Sequence, residues 1–284
     1  MDEVPCYFDM VRDSTLSFKG SKNVDGVDTG YRKSRYTVCL AISLDGRVLS
    51  TMIIFRNLVK PPSVPNLSQR MVLAASKSGT MDCTLAKYWM DKVFSRRGNY
   101  FQTTKSVLIW DSYGSHKRDD IVKYLRQKYC SEMVLIPAKM TCFAQPLDVA
   151  VNSAFKAALK NEWDEWVRTS PAEMTPKGYR KRPSYKAIVD MVENAVSAIS
   201  KEMIKRAFEC CGIAERGGIV PLEKLNQRFK TVLSWKDSAG LIEAGQLSSD
   251  DDDEGVGAGS GDDEVVERRS GDEISDNEYS DEFE

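Results

Sequence analysis

The sequence predicts an α/β fold, a mixed sheet covered by helices on both faces, and two patterns carry that expectation. Residues 36–44 and 47–55 alternate apolar and polar around Asp45-Gly46, a dipeptide that favours the positive φ of a tight hairpin. Further on, helical periods alternate with short β-branched runs. Leu85, Tyr88, Trp89, Lys92 and Val93 recur at helical spacing before a strand at 107–110, and Ile121, Val122 and Leu125 mark a helix before a strand at 133–136. A hairpin followed by alternating helices and strands buries its apolar surface only by stacking helices on a sheet.

The remaining elements follow in order. Pro61, Pro62 and Pro65 interrupt any regular pattern, so 58–69 reads as a loop. Ser106-Val107-Leu108-Ile109 has the length and branched content of a buried strand and delivers Asp111 at its end. Just after Pro146 a helix begins at Asp148, with Val151, Phe155, Ala158, Leu159 and Trp166 on one stripe and Lys156 and Lys160 beside it. Trp163 and Trp166 read as packing residues. The segment 175–183 is a basic, proline-bounded loop that suits a phosphate contact, a nuclear import signal or a plain solvated linker. Ile188, Val189, Val192, Val196 and Ile199 then form an amphipathic helix, Ser200 caps another over 201–210, and Gly212 ends it.

Charge divides the chain. The net charge of −2 over 284 residues hides a segment, 248–284, with sixteen Asp and Glu against Arg268 and Arg269. That segment carries −14 and leaves +12 on the rest. A basic body is what a domain contacting a phosphate backbone shows, and a lysine-rich soluble surface shows the same. The acidic segment has too little apolar surface to fold and reads as a disordered tail from 241 to 284. No apolar run approaches the eighteen or so residues of a membrane span. The seven cysteines are odd in number and lack CxxC spacing, so they read as reduced thiols of a cell interior and not as a zinc site. With His116 as the one histidine, His-based zinc chemistry and a serine triad are excluded.

Three acidic islands carry the chemistry: Asp2-Glu3 near the start, Asp111 after the 106–109 strand, and Asp148 after Gln145-Pro146-Leu147. Aspartates at a strand end and a helix start, 37 positions apart, suit a site in which two hard cations clamp the attacking and leaving oxygens of a phosphodiester. The same residues also serve as caps and turn formers, because their side chains satisfy free backbone N–H groups.

Beyond these patterns the chain resembles the DDE domain of pogo/Tigger/jerky-type transposases, the group that also gave rise to centromere protein B. The resemblance runs from about Asp2 to Gly212. It includes Tyr7-Phe8-Asp9-Met10, Arg35-Tyr36-Thr37-Val38, Ile54-Phe55, Leu108-Ile109-Trp110-Asp111-Ser112, Gln145-Pro146-Leu147-Asp148 and Lys205-Arg206-Ala207-Phe208. It implies an RNase H-like mixed sheet over 1–170, a helical extension over 171–240 and the acidic tail beyond. It also implies that Asp2, Asp111 and Asp148 bind Mg2+ or Mn2+ and cut DNA, and that Asp2 closes the first, central strand. Only Met1 precedes Asp2, so that strand is expected to be truncated and the upstream helix-turn-helix region of the family to be missing. His116, where the family also carries histidine, would orient a water or a metal-bound carboxylate, or pin its loop by hydrogen bonds. Two functions follow. One is a DDE transposase or endonuclease acting on DNA in the nucleus. The other is a domesticated, non-catalytic nuclear protein that binds DNA and, through its tail, basic chromatin proteins.

Overall fold

The computed structural model of the chain describes residues 1–10, 19, 34–97, 105–112, 118–176, 178–214 and 218–231. His116 and the acidic tail lie outside the described residues. Eight strands appear among them: β1 (Asp2–Tyr7), β2 (Arg35–Leu40), β3 (Ile42–Ser43), β4 (Arg47–Val48), β5 (Thr51–Arg56), β6 (Met71–Ser76), β7 (Ser106–Asp111) and β8 (Ser131–Ile136). The helices are α1 (Cys83–Lys92), α2 (Asp119–Tyr129), α3 (Thr141–Ala144), α4 (Asn152–Thr169), α5 (Tyr185–Ser197) and α6 (Lys201–Cys210). A π-helical turn, Leu147–Val151, leads into α4.

The main sheet has the order β1-β2-β5-β6, antiparallel at its first two pairings and parallel at the third. Strand periodicity sorts its side chains into two cores. Tyr36, Val38, Leu40, Ile53, Phe55, Met71 and Leu73 face a layer that includes Phe155 and Leu159 of α4, Ile188 and Val192 of α5, and Ile204 and Phe208 of α6. The intervening residues Cys39, Ala41, Met52, Ile54, Val72 and Ala74 face Trp89 and Met90 of α1, Ile121 and Leu125 of α2, and Leu108 and Trp110 of β7. The sheet is therefore mixed and sandwiched, as expected for an RNase H-like fold. The expected apolar-polar alternation in β2 does not hold, because helices on both faces demand apolar side chains on both. Thr37, in the middle of the strand, is buried and donates its hydroxyl to the Gly79 carbonyl at 2.6 Å. Each large apolar side chain buried this way contributes on the order of 2 kcal/mol.

The Asp45-Gly46 turn forms with Gly46 at φ 89°, but the hairpin is split. β3 and β4 pair only with each other, and β2 and β5 pair further down, so the predicted long strands break near Ala41 and Leu49. Strand β6 lies just beyond the predicted loop and escaped the sequence reading. It runs parallel to β5, reached by a turn through Asn57 and Asn66, both left-handed at φ 60° and 55°, a conformation asparagine tolerates better than most residues. Ser200 caps α6 as predicted, accepting from the Met203 N–H at 3.1 Å, and Gly212 follows at φ 74°.

Asp2 is the first residue of β1, which pairs with β2 from Asp2 opposite Leu40 to Tyr7 opposite Arg35. Val4 and Cys6 point into the first core while Pro5 points out, and a proline is tolerated because β1 is an edge of this sheet. Strands β7 and β8 form a separate parallel pair. Between β7 and the β3–β4 hairpin lies a cavity of about 580 Å3, lined by Met1, Ala41, Leu44, Leu108, Ile109 and Leu147 among others. Met1 spans the seam, its amino group donating to the Ile109 carbonyl at 3.0 Å.

Candidate active site

Three elements deliver the three sequence-predicted aspartates to one region. Asp2 lies on the β1 face shared with Val4 and Cys6, the face on which α4 packs. Asp111 ends β7 on the side opposite the buried Leu108 and Trp110. Asp148 sits in the first turn of the π-helical segment, whose Leu147 and Val151 anchor it in the first core.

One side chain joins two of these acids directly. Asn152, the first residue of α4 and 8% exposed, donates from Nδ2 to Asp2 Oδ2 at 2.5 Å and to Asp148 Oδ1 at 2.9 Å. Asp111 joins through its field. The Asp148 carboxyl is pushed up from 3.8 to about 6, first by burial, then by the charge of Asp2 and a hydrogen bond with it, and last by the charge of Asp111. The Asn152 amide opposes this rise by binding the ionised form. Although its carboxyl is crowded, Asp148 as a residue stays open to solvent on one side. The same three carboxylates act on the Met1 amino group. Burial lowers it from 8.0 to about 6, and Asp2, Asp111 and Asp148 pull the other way.

Two buried polar atoms at this site have no partner among the described residues, Asn152 Oδ1 and Gln145 Oε1. Gln145 is 2% exposed and donates from Nε2 to the Met1 carbonyl at 3.4 Å, which ties the turn before Asp148 to the start of β1. The donor set is all oxygen, with two ionisable carboxylates bridged and a third within electrostatic reach, and such a set fits a hard divalent cation. Among the described residues no three His, Cys, Asp or Glu side chains are arranged as a closed ligand set, so the acids converge without enclosing an ion position.

Sequence reasoning found the aspartates but missed Asn152. The signal was present: a polar residue four positions after Asp148 shares its helix face and interrupts an apolar stripe. The basic loop is largely structural. Arg180 is 7% exposed, donates to the carbonyls of Val167 at 2.6 Å and Ser170 at 2.8 Å, and stacks over Trp166 at 4.7 Å, which closes the C-terminus of α4. Arg182 covers the Phe8 and Tyr185 rings, each at 4.7 Å. Trp163 is buried and packs on Trp166, in keeping with a packing role for both. All seven cysteines are free thiols, and no described helix is long and apolar enough to cross a membrane.

The family described as DDE superfamily endonuclease matches residues 33–208. A "Pogo transposable element with KRAB domain" from Homo sapiens is 27% identical over 213 residues, 75% of this chain and 34% of that protein. Its Mus musculus counterpart is also 27% identical over 213 residues, 75% of this chain and 35% of its own length. A Homo sapiens "Pogo transposable element with ZNF domain" is 29% identical over 131 residues, 46% of this chain and 9% of that protein. The chain thus spans about a third of the length of the first two relatives. No solved structure matches.

Proposed function

The chain belongs to the DDE superfamily endonuclease family, in its pogo type, and we propose from that premise that Asp2, Asp111 and Asp148 form a cation-dependent centre for phosphodiester cleavage in DNA. The observation that carries this reading is the convergence of carboxylates from separate elements: Asp2 and Asp148 accept from the one Asn152 amide at 2.5 and 2.9 Å, and the charge of Asp111 reaches the same Asp148 carboxyl. An arrangement of like charges is unfavourable by itself, and the usual reason for keeping one is a positive charge that completes it.

Mg2+ or Mn2+ suits oxygen donors and, when bound, supplies acidity to a coordinated water or hydroxyl and offsets charge on the phosphate. The side chains of the protein divide the remaining work. Asp2 and Asp148 would be the paired ligands, held by Asn152. Asp111, on the neighbouring strand end, would be the third. Above about pH 6 Asp148 is ionised and available, and below it a proton competes for the same oxygens. DNA as the substrate and the nucleus as the place of action are what the pogo-type relationship supports. The positive balance outside the acidic tail agrees with a phosphate-rich partner.

Titration of Mn2+ into the wild-type chain and into Asp148→Ala tests the assignment calorimetrically. Binding heat in the wild type and its loss in the variant are expected, and equal heats in both would sink the assignment. A second reading is a non-catalytic DNA- or chromatin-binding protein that retains the fold. The strongly acidic tail favours it. Under it neither protein would give binding heat.

A further inference from the structure

Asn152 stands out because its polar atoms are used in an uneven way. Its amide donates to two carboxylates from different parts of the chain, Asp2 and Asp148, while its own oxygen is buried without a partner among the described residues. A side chain present only to fill space would do better as an apolar residue, since an unsatisfied buried acceptor opposes folding. Nor does Asn152 cap a helix: its side chain makes no hydrogen bond to a backbone N–H, and its own backbone N–H bonds to the Leu147 carbonyl, five residues back. That widened turn holds Asp148, and Asn152 follows it four positions on, on the same face. Turns of this kind are rare, and they are frequent at functional sites.

Resting on the carboxylate reading above, we propose that Asn152 is the positioning residue of the centre: its one NH2 group holds Asp2 and Asp148 together before a cation arrives, and its free oxygen accepts from a water in the cation's shell. The physical logic is charge balance. Two carboxylates facing each other across a partly buried gap repel, and a neutral double donor shared between them offsets that repulsion while fixing both oxygens. A cation replaces the donor's electrostatic role and inherits the geometry. Because the amide is neutral, it does not compete with the cation as a lysine would. Mg2+ and its analogues keep several waters when bound by few carboxylates, and such a water provides the hydrogen that the orphaned Asn152 oxygen lacks.

The test uses the full chain and Mn2+ as probe, with calorimetric titrations at several pH values between 5 and 8. Asn152→Leu keeps the volume and removes the amide. Asn152→Ala removes the amide together with most of the side chain. Thermal unfolding identifies a variant that no longer folds, and the other then carries the test. Loss of the shared donor is expected to move the pH midpoint of Mn2+ binding upward by roughly one unit in either variant, because the ionised acids lose a hydrogen bond that stabilises them. At pH 6 the Asn152→Leu protein is expected to bind about five-fold more weakly. A merely structural role would lower the unfolding temperature and leave the midpoint in place, and that result overturns the proposal. The parent reading fails separately: if Asp148→Ala binds Mn2+ as the wild type does, the carboxylate centre itself is wrong, whereas an Asp148-dependent site with an unmoved midpoint refutes Asn152 alone.

Discussion

Replacing Asp148 by asparagine isolates the electrostatic cost of bringing the acids together. The exchange preserves shape and removes one charge. The Asp148 carboxyl titrates at about 6 instead of 3.8, and each unit of such a shift corresponds to about 1.4 kcal/mol. A fully enclosed acid with that shift would cost the fold about 3 kcal/mol at pH 8. Asp148 is open to solvent on one side, and the helix N-terminus returns part of the cost, so the expected penalty is about 1 kcal/mol. Its sign follows from proton linkage. Between pH 3.8 and about 6 the folded protein holds a proton that the unfolded chain releases, so stability is greater below that window and falls as pH rises through it. Asp148→Asn removes the fall. Without divalent cations at pH 8 the variant is expected to melt about 2–4 °C above the wild type, with the gap closing as pH drops toward 4. Adding Mn2+ should then reverse the order, because only the wild type gains from binding. Scanning calorimetry in EDTA and in Mn2+ measures both effects. A variant less stable than the wild type at pH 8 in EDTA would show that the acids are not crowded and that the reasoning fails.

Two further perturbations test other parts of the molecule. Arg180→Ala removes two charge-assisted hydrogen bonds to the Val167 and Ser170 carbonyls at the end of α4 and a stack on Trp166. It should cost about 2–3 kcal/mol in urea unfolding with an unchanged m-value, and a loss below about 0.5 kcal/mol would mean that α4 closes without it. Deleting residues 248–284, which carry −14 against +12 elsewhere, should raise non-specific DNA affinity at low salt. The gain should fade as ionic strength shortens the Debye length to about 8 Å and below, and equal affinities at low salt would exclude competition between tail and DNA.

The parts legible in the sequence share a physical cause, and so do the parts that were not. Helices α1, α2, α5 and α6 were readable because each buries one stripe, and the Ser200 cap and Gly212 stop are local chemistry. Strand β7 was readable as an apolar run ending in an acid. Strand β6 was not, because Met71-Val72-Leu73-Ala74 is buried on both faces and short apolar runs look alike as helix or strand. The split of the 36–55 hairpin also stayed hidden, since it depends on where β2 leaves the sheet, a choice made by packing and not by local propensity.

The site shows the same division. Asp111 and Asp148 were found from the ends of their elements, and Asp2 from the resemblance, because side-chain type and position suffice for that. What joins them is tertiary: the face of β1 that carries Asp2 is chosen by Val4 and Cys6 entering the core beside α4, and the π-helical turn that holds Asp148 has no composition of its own. Asn152 therefore belongs to a class of residue that sequence patterns register only as an exception, a polar side chain where the stripe calls for an apolar one. Its place between two acids turns that exception into an explanation. The fold accepts a buried amide with an unpaired oxygen because the alternative, two carboxylates with nothing between them, is worse. The repulsion that remains between the acids is what cation binding is expected to relieve.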